Sequence, residues 1–155
     1  MKKITSLSFT ACLLLCVGFI SSCDKDDDDR QKTRSELLIG TWVLTSDAYS
    51  PAYDYDWDGN TETEIFNRYD ACDKDDLTVF NAGGTGTYDE GPTKCDQSDP
   101  QSIPFAWSLT NNDNSLVVGG DTYNVVQLDQ NTLKVSYTFV EGGTTFTNTY
   151  TFSRR

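Results

Sequence analysis

Residues 132–153, TLKVSYTFVEGGTTFTNTYTFS, alternate cleanly between apolar and polar side chains. Within each half, one face carries the large apolar residues: Leu133, Val135, Tyr137 and Phe139 in the first, and Phe146, Tyr150 and Phe152 in the second. A period of two is that of a β-strand with one buried face. Glu141-Gly142-Gly143 separates the two runs as a short turn. The stretch therefore predicts an antiparallel hairpin.

The same pattern of short extended runs and turn-rich breaks continues upstream. An extended run begins at Gly40-Thr41-Trp42, and Ser35–Ile39 before it is predicted to form one helical turn, capped by Ser35. Further strands are predicted at 77–81, 85–89, 103–110, 115–118 and 122–128. About eight strands joined by short turns indicate an all-β, antiparallel up-and-down meander. Closure into a small barrel would remove the edges of such a sheet.

Composition excludes several classes of function. The chain has 155 residues, with 24 acidic and 12 basic side chains, no histidine and a formal charge of −12. So acidic a surface is a poor partner for nucleic acid, which is bound first through Lys and Arg on phosphate. Without histidine there is no Ser-His-Asp or Cys-His catalysis and no imidazole metal ligand. Paired carboxylates occur by chance on so acidic a chain, and we predict that the protein is not an enzyme.

The N-terminus has the pattern of a secretory signal, predicted to span residues 1–22. Lys2 and Lys3 precede the apolar run 8–20, which is shorter than the roughly 20 residues that span a bilayer. The run ends in Ile20-Ser21-Ser22-Cys23, which resembles a bacterial lipobox. The resemblance implies that Cys23 is acylated and anchors the protein to a membrane. The alternative is an ordinary signal that is cleaved near Ser22.

Residues 23–34 are predicted to be a lipidated cysteine and a solvated tether. Residues 24–34, DKDDDDRQKTR, contain no apolar side chain and cannot contribute to a core. Acidic residues directly after the cysteine resemble the surface-export signal of Bacteroidota lipoproteins. The expected location is the outer membrane with the domain on the cell surface, and the alternative is the periplasmic face. The folded domain is predicted to span residues 35–155.

Cys72 and Cys95 are the two cysteines left after signal removal and lipidation. An even pair in an oxidising compartment predicts a disulfide. Two cysteines without histidine make an incomplete zinc site, and a separation of 23 positions is not a CxxC redox pair. Acidic residues around the first cysteine are expected to form a solvated rim rather than a second metal site: Asp70, Asp73, Asp75 and Asp76.

Residues 54–64 contain the pattern D-x-D-x-D-G, which makes calcium a candidate cofactor. Asp54, Asp56 and Asp58 can place carboxylate oxygens around a hard cation, with the backbone carbonyl of Asn60 as a further ligand. The position of the bidentate Glu of an EF-hand is Ile65, and Glu64 is the displaced candidate. Any such site is predicted to be weak. The alternative is an Asp-Gly turn in a solvated acidic loop.

Several stretches together resemble the lipocalin-like lipoproteins of Bacteroidota: LIGTWVLTS, CDKDDLTVFNAGGTGTYDEG, KCDQSDP, FAWSLTNN and the final TYTFSR. Gly40-Thr41-Trp42 matches the Gly-x-Trp motif of the first lipocalin strand. The resemblance implies a lipocalin-like barrel whose closed end is plugged by Trp42. It also implies that a late arginine stacks on this ring, for which Arg154 is the candidate.

The aromatic side chains of the strands leave two functions open. In one, they line a pocket for a small apolar or amphipathic ligand; in the other, they fill the barrel themselves. For the first function, the predicted lining is Trp107, Tyr123, Tyr137, Phe139 and Tyr150. In the second, the protein is a structural or interaction module whose loops 47–76 and 89–103 contact a protein or a glycan. An enclosed cavity of roughly 300 Å³ or more favours the first.

Overall fold

The computed structural model of the protein describes residues 31–155. The predicted signal peptide 1–22, Cys23 and most of the predicted tether lie outside the described residues. The helix and strands of the described part are α1 (Arg34–Leu38), β1 (Gly40–Tyr53), β2 (Glu62–Glu64), β3 (Leu77–Asn81), β4 (Thr85–Asp89), β5 (Ser102–Thr110), β6 (Ser115–Val118), β7 (Asp121–Leu128), β8 (Thr132–Glu141) and β9 (Thr144–Arg154). Two 3₁₀ turns, Phe66–Arg68 and Asp73–Asp75, lie between β2 and β3.

Strands β1 and β3 to β9 form a closed eight-stranded antiparallel barrel. Each strand from β3 onwards pairs with its successor, and β9 pairs back with β1 from Trp42↔Arg154 to Ser50↔Thr147. The short β2 adds to the remaining edge of β1. Closure pairs the backbone groups that an open sheet would leave at its edges. The predicted fold class, an up-and-down barrel with one short N-terminal helix, is confirmed.

The hairpin predicted for residues 132–153 is confirmed, with β8 and β9 as its strands. Glu141 pairs with Thr144, and Gly142 and Gly143 have φ values of +57° and +81°. A two-residue turn with two positive φ values matches the right-handed twist of the flanking strands, and glycine adopts it without steric cost. The alternation places Leu133 and Val135 of β8 on the inner face of the barrel, where both are buried, whereas Val140 is exposed.

Strand β1 is longer than predicted and contains a bulge. Leu44 pairs with Phe152 and Ser46 with Thr151, so Thr45 is an extra residue in the ladder. Because one extra residue reverses the alternation, Asp47 points inward, opposite Tyr150. The expectation that β1 covers only the run after Gly40 and that a loop begins at residue 47 was wrong. The second half of the strand is not apparent in the sequence, because it contains polar residues and Pro51, which are uncommon within strands.

Helix α1 covers one end of the barrel, here termed the closed end. It begins one residue before the predicted turn, because Thr33 and not Ser35 is its N-cap: Glu36 N donates to Thr33 Oγ1 at 3.2 Å. Trp42 is fully buried beneath the helix, and its Nε1 donates to the Leu38 carbonyl at 2.8 Å. The loops 54–76 and 90–101 lie at the opposite, open end.

Candidate ligand-binding site

An apolar space of about 190 Å³, termed the inner cavity, lies between the inward faces of the strands. Its wall includes Leu44 of β1, Thr78 and Phe80 of β3, Val135 of β8 and Phe152 of β9. Among residues 31–155, no charged side chain lines it. The inner cavity suits an apolar group and offers no partner to a buried charge.

A second space of about 270 Å³, termed the outer chamber, lies beside the inner cavity toward the open end. The two spaces share four lining residues: Leu44, Thr78, Tyr88 and Phe152. The rest of the wall of the outer chamber combines apolar side chains with four carboxylates: Asp73, Asp76, Asp89 and Glu90. The apolar and acidic parts of the site are therefore neighbours.

A third space of about 400 Å³, termed the side chamber, lies against Asp121, Tyr123, Tyr137 and Tyr150. It shares Tyr123 and Tyr150 with the inner cavity. The three spaces together are called the calyx below. The inner cavity, at about 190 Å³, is smaller than a common ligand pocket, which begins near 300 Å³, and the outer chamber adjoins it.

The bulge in β1 places a buried carboxyl group near the calyx. Asp47 is 2% exposed and accepts hydrogen bonds from Tyr69 Oη at 2.6 Å and Asn148 Nδ2 at 2.7 Å. Burial raises the pKa of Asp47, while these two hydrogen bonds oppose the rise. Burial and the hydrogen bond to Asp47 raise the pKa of Tyr69. The hydrogen bonds of Asp47 therefore link the loop that carries Tyr69 to strands β1 and β9 of the barrel.

Three tyrosines predicted to line a pocket are brought together. The rings of Tyr123, Tyr137 and Tyr150 have centroid separations of 6.0 to 6.3 Å. Burial, first of all, and the negative charge of Asp47 raise the pKa of Tyr150. Its neutral hydroxyl can donate or accept a hydrogen bond at the boundary between the inner cavity and the side chamber.

The other two residues of the predicted lining are placed elsewhere. Trp107 belongs to the core near the closed end, where its Nε1 donates to the carbonyls of Asn81 at 3.1 Å and Thr85 at 2.9 Å. Phe139 packs against Tyr53 and Phe146 at centroid distances of 5.1 and 5.3 Å. Neither residue lines the inner cavity or the two chambers. Alternation along a strand predicts that a side chain faces the barrel interior, but it does not predict the position of that side chain along the barrel axis.

Sequence reasoning missed the residues that join the inner cavity to the outer chamber. Phe152 was recognised as inward-facing but not as a wall of the pocket. Tyr88 lies on the short strand β4, where five residues give too little alternation to assign a face. Leu44 lies next to the bulge, and no residue type marks that irregularity in the sequence.

At the closed end, the structure brings together Trp42 and Arg154. The Arg154 guanidinium carbon lies 4.3 Å from the centroid of the Trp42 ring. Its nitrogens donate to three backbone carbonyls, those of Ile39 at 2.9 Å, Gln130 at 2.6 Å and Leu37. Arg154 thus satisfies carbonyl groups at the C-terminal end of α1 and links them to the β7–β8 turn.

The predicted disulfide joins two loops of the open end. Cys72 and Cys95 are bonded, with a Cα–Cα distance of 5.2 Å. Cys72 precedes β3 and Cys95 lies between β4 and β5, so the bond links the two segments that supply the acidic wall of the outer chamber. Since both sulfurs are in the disulfide, the nearby Asp73 carboxylate does not form a metal site with them.

The aspartates of the D-x-D-x-D-G loop do converge. One oxygen atom from each of Asp54, Asp56 and Asp58 lies within 4.8 Å of the others. Arg68 already contacts this group, since its Nη1 lies 2.9 Å from Asp56 Oδ2. A protein cation at this position competes with a metal ion for the same charge. Calcium binding by the loop stays a prediction.

Two further predicted ligands of this loop have other contacts. The Asn60 side chain donates to Asp58 Oδ1 at 3.1 Å, and its backbone N–H does so at 2.8 Å. The carboxylate of Glu64 accepts from the Ser46 hydroxyl at 2.5 Å and from the Asp47 N–H at 3.0 Å. The structure does not place the Glu64 carboxylate with the three aspartates, because pairing of β2 with β1 turns it toward β1.

Comparison with known proteins identifies the domain. Among residues 31–155, no helix has the length and apolar character needed to cross a bilayer. No curated protein matches the chain. A family model described as a lipocalin-like domain matches residues 38–135, from the end of α1 into β8. With the closed eight-stranded barrel and its helix-covered end, this match assigns the chain to the lipocalin-like domain family.

Proposed function

We propose that this protein is a membrane-anchored, non-catalytic binding protein that holds one small apolar or amphipathic molecule in the calyx. The observation that carries the proposal is the apolar inner cavity and its connection, through shared walls, to a chamber at the open end. Lipocalin-like domains are generally non-catalytic, which supports a binding role. Burial of apolar ligand surface in the inner cavity would supply most of the affinity.

Titration with the neutral fluorescent probe N-phenyl-1-naphthylamine tests the proposal. The expected result is saturable binding of one probe molecule per protein. Val118 is 7% exposed and lines the inner cavity, so Val118→Phe should fill it and weaken probe binding by about ten-fold or more. Val126 is 57% exposed on β7, and Val126→Phe is the matched control that should bind as the wild type.

Circular dichroism establishes that both variants fold. If Val118→Phe does not fold, competition between the probe and 1-octanol on the wild-type protein replaces it. Absence of saturable probe binding by the wild-type protein would overturn the proposal, and so would undiminished binding by a folded Val118→Phe variant.

The anchored location rests on the N-terminal sequence pattern. We propose that Cys23 carries the lipid and that the domain is displayed on the outer face of the outer membrane, at the end of the acidic tether. Mass spectrometry of membrane-extracted protein should find an acylated Cys23 at the mature N-terminus. Protease added to intact cells should remove the domain; its protection until the outer membrane is opened would favour the periplasmic face.

The alternative function, an interaction module, is favoured by one feature of the loop that follows β1. Trp57 is 72% exposed and lies between the aspartates of the loop. Tryptophan is enriched among the residues that carry most of the binding energy of protein interfaces. If partner binding is the function, Trp57→Ala should abolish capture of the partner and leave probe binding in the calyx unchanged.

For the calcium prediction, the melting temperature should fall when a chelator is added at millimolar calcium.

A further inference from the structure

The outer chamber contains negative charge that the surrounding chain does not neutralise. Within the part of the chain that the structure describes, its wall has four carboxylates, from Asp73, Asp76, Asp89 and Glu90, and neither lysine nor arginine. Within residues 31–155, none of these four groups forms a salt bridge. Crowding of like charges in a partly desolvated space is unfavourable, and a bound cation relieves it.

The basic residues of the neighbouring loops are directed elsewhere. Arg68 pairs with Asp56 and Glu62 at 2.9 and 2.5 Å. Lys74 Nζ donates to the Asn67 carbonyl at 3.1 Å and lies 5.8 Å from the centroid of the Phe66 ring. Lys94 Nζ donates to two loop carbonyls, those of Gln97 and Asp99. Within the described residues, none of these three basic side chains supplies a positive charge to the outer chamber.

The carboxylate of Asp76 carries a charge that the described residues leave partly uncompensated. Its Oδ1 is excluded from solvent and accepts no hydrogen bond. By contrast, Asp89 Oδ1 accepts from Gly91 N at 2.9 Å and Gln101 Nε2 at 3.1 Å. Burial and the negative charge of Glu90 raise the pKa of Asp76 to about 6. The shift has the sign expected for a carboxylate that lacks a positive partner.

Aromatic rings in the same wall are also suited to a cation. Tyr69, Tyr88 and Phe152 line the outer chamber together with the carboxylates. The face of an aromatic ring attracts an ammonium or guanidinium group within about 6 Å of its centroid. Tyr88 and Phe152 also line the inner cavity, so a group held at these rings has an apolar space directly behind it.

We propose that the calyx selects amphiphiles with a cationic head: an ammonium or similar group lies in the outer chamber among Asp76, Glu90 and the aromatic rings, and the apolar body enters the inner cavity. This inference rests on the proposed function, which it narrows to one class of ligand. A carboxylate or sulfate head would meet four like charges at the open end and is disfavoured.

Competition of octylammonium, 1-octanol and octanoate against N-phenyl-1-naphthylamine tests the inference at neutral pH. The three compounds share one apolar chain and differ in the charge of the head. Octylammonium should displace the probe at a concentration about ten-fold lower than 1-octanol, and octanoate should be the weakest. The advantage of octylammonium should shrink as salt is added, because the chamber is open to ions.

The double variant Asp76→Asn/Glu90→Gln should remove most of the advantage of octylammonium over 1-octanol and leave 1-octanol itself unchanged. Asp113→Asn, in the β5–β6 turn at the closed end, is the control for loss of negative charge and should retain the preference. If 1-octanol and octanoate compete as well as octylammonium, the head-group inference is wrong and the binding function stands. If the probe does not bind at all, the proposed function itself fails.

Discussion

At the scale of single residues, Gly40 shows how one backbone position supports the closed end. Its φ is +141°, and a Cβ at this position would collide with Nη1 of Arg154. Arg154 needs that path to reach the Trp42 ring and the carbonyls at the end of α1. Glycine is thus required both for its backbone conformation and for the space it leaves.

Gly40→Ala should therefore lower the free energy of unfolding by about 2–3 kcal/mol, since it adds backbone strain and displaces the Arg154 guanidinium. Chemical denaturation measures the change. Gly119→Ala is the matched control: its φ of +60° is also positive, but a Cβ there meets no atom within 4 Å. Equal losses in the two variants would show that the contact with Arg154 contributes nothing.

Asp76 gives the protein a residue-level dependence on pH. Its pKa is raised from 3.8 to about 6, so between these pH values the folded protein holds a proton that the unfolded chain has released. The free energy of unfolding contributed by Asp76 therefore falls as pH rises from about 4 to about 6. Groups with lowered pKa values, such as Glu64 and Asp129, have the opposite effect, with the loss at lower pH.

Asp76→Asn should accordingly gain stability relative to the wild type as pH rises from about 4 to about 6. We expect the gain to stay below about 1 kcal/mol, because solvent screens the open chamber. Thermal melting across this range measures the difference. Glu90→Gln removes a neighbouring charge and should reduce the wild-type slope; a difference between Asp76→Asn and wild type that is constant with pH would contradict the assignment.

At the scale of elements, the regular strands were predictable and the irregular one was not. Strands β3, β4 and β6 have the bounds expected from sequence, because polar or glycine-containing turn segments interrupt the extended runs on both sides. Strand β1 was truncated in the prediction, because its bulge and its polar second half do not follow a period of two. The buried Asp47 group depends on this bulge, and so sequence reasoning did not find it.

The disulfide stabilises the two segments that form the acidic wall. Replacing both Cys72 and Cys95 with serine should lower the free energy of unfolding by about 3 kcal/mol, from the chain entropy that the closed loop removes. Equilibrium unfolding in urea is the measurement. A reductant should bring the wild-type midpoint to that of the double variant and should not change the variant; an unaffected wild-type midpoint would show that the bond carries no stability.

At the scale of the whole molecule, the barrel is closed by β1 and β9, which lie at the two ends of the folded domain. This pairing joins residues about a hundred positions apart, as in the contact of Asn148 with Asp47. Helix α1 then covers the closed end through Leu38 and Trp42, both fully buried. The described part of the chain is thus expected to fold without residues 1–30.

A fragment comprising residues 31–155 should melt as the full mature protein does. A shorter fragment that begins at Ile39 lacks α1 and should be less stable by several kcal/mol, because it exposes Trp42 and leaves its Nε1 without the Leu38 carbonyl. Differential scanning calorimetry compares the fragments. Identical melting temperatures for the two fragments, with and without α1, would mean that α1 does not contribute to the stability of the barrel.

The sequence by itself determined the all-β class, the hairpin of 132–153 and the pairing of Cys72 with Cys95. These features depend on local alternation, on turn residues and on a count of cysteines, all of which are present in the linear chain. Only the tertiary structure decided which inward side chains fill the barrel and which line a cavity, as the different places of Trp107 and Tyr150 show. The physical reason is that alternation assigns a side chain to a face, whereas the stagger of strands around a closed barrel sets its height, and height determines whether it meets the core or the calyx.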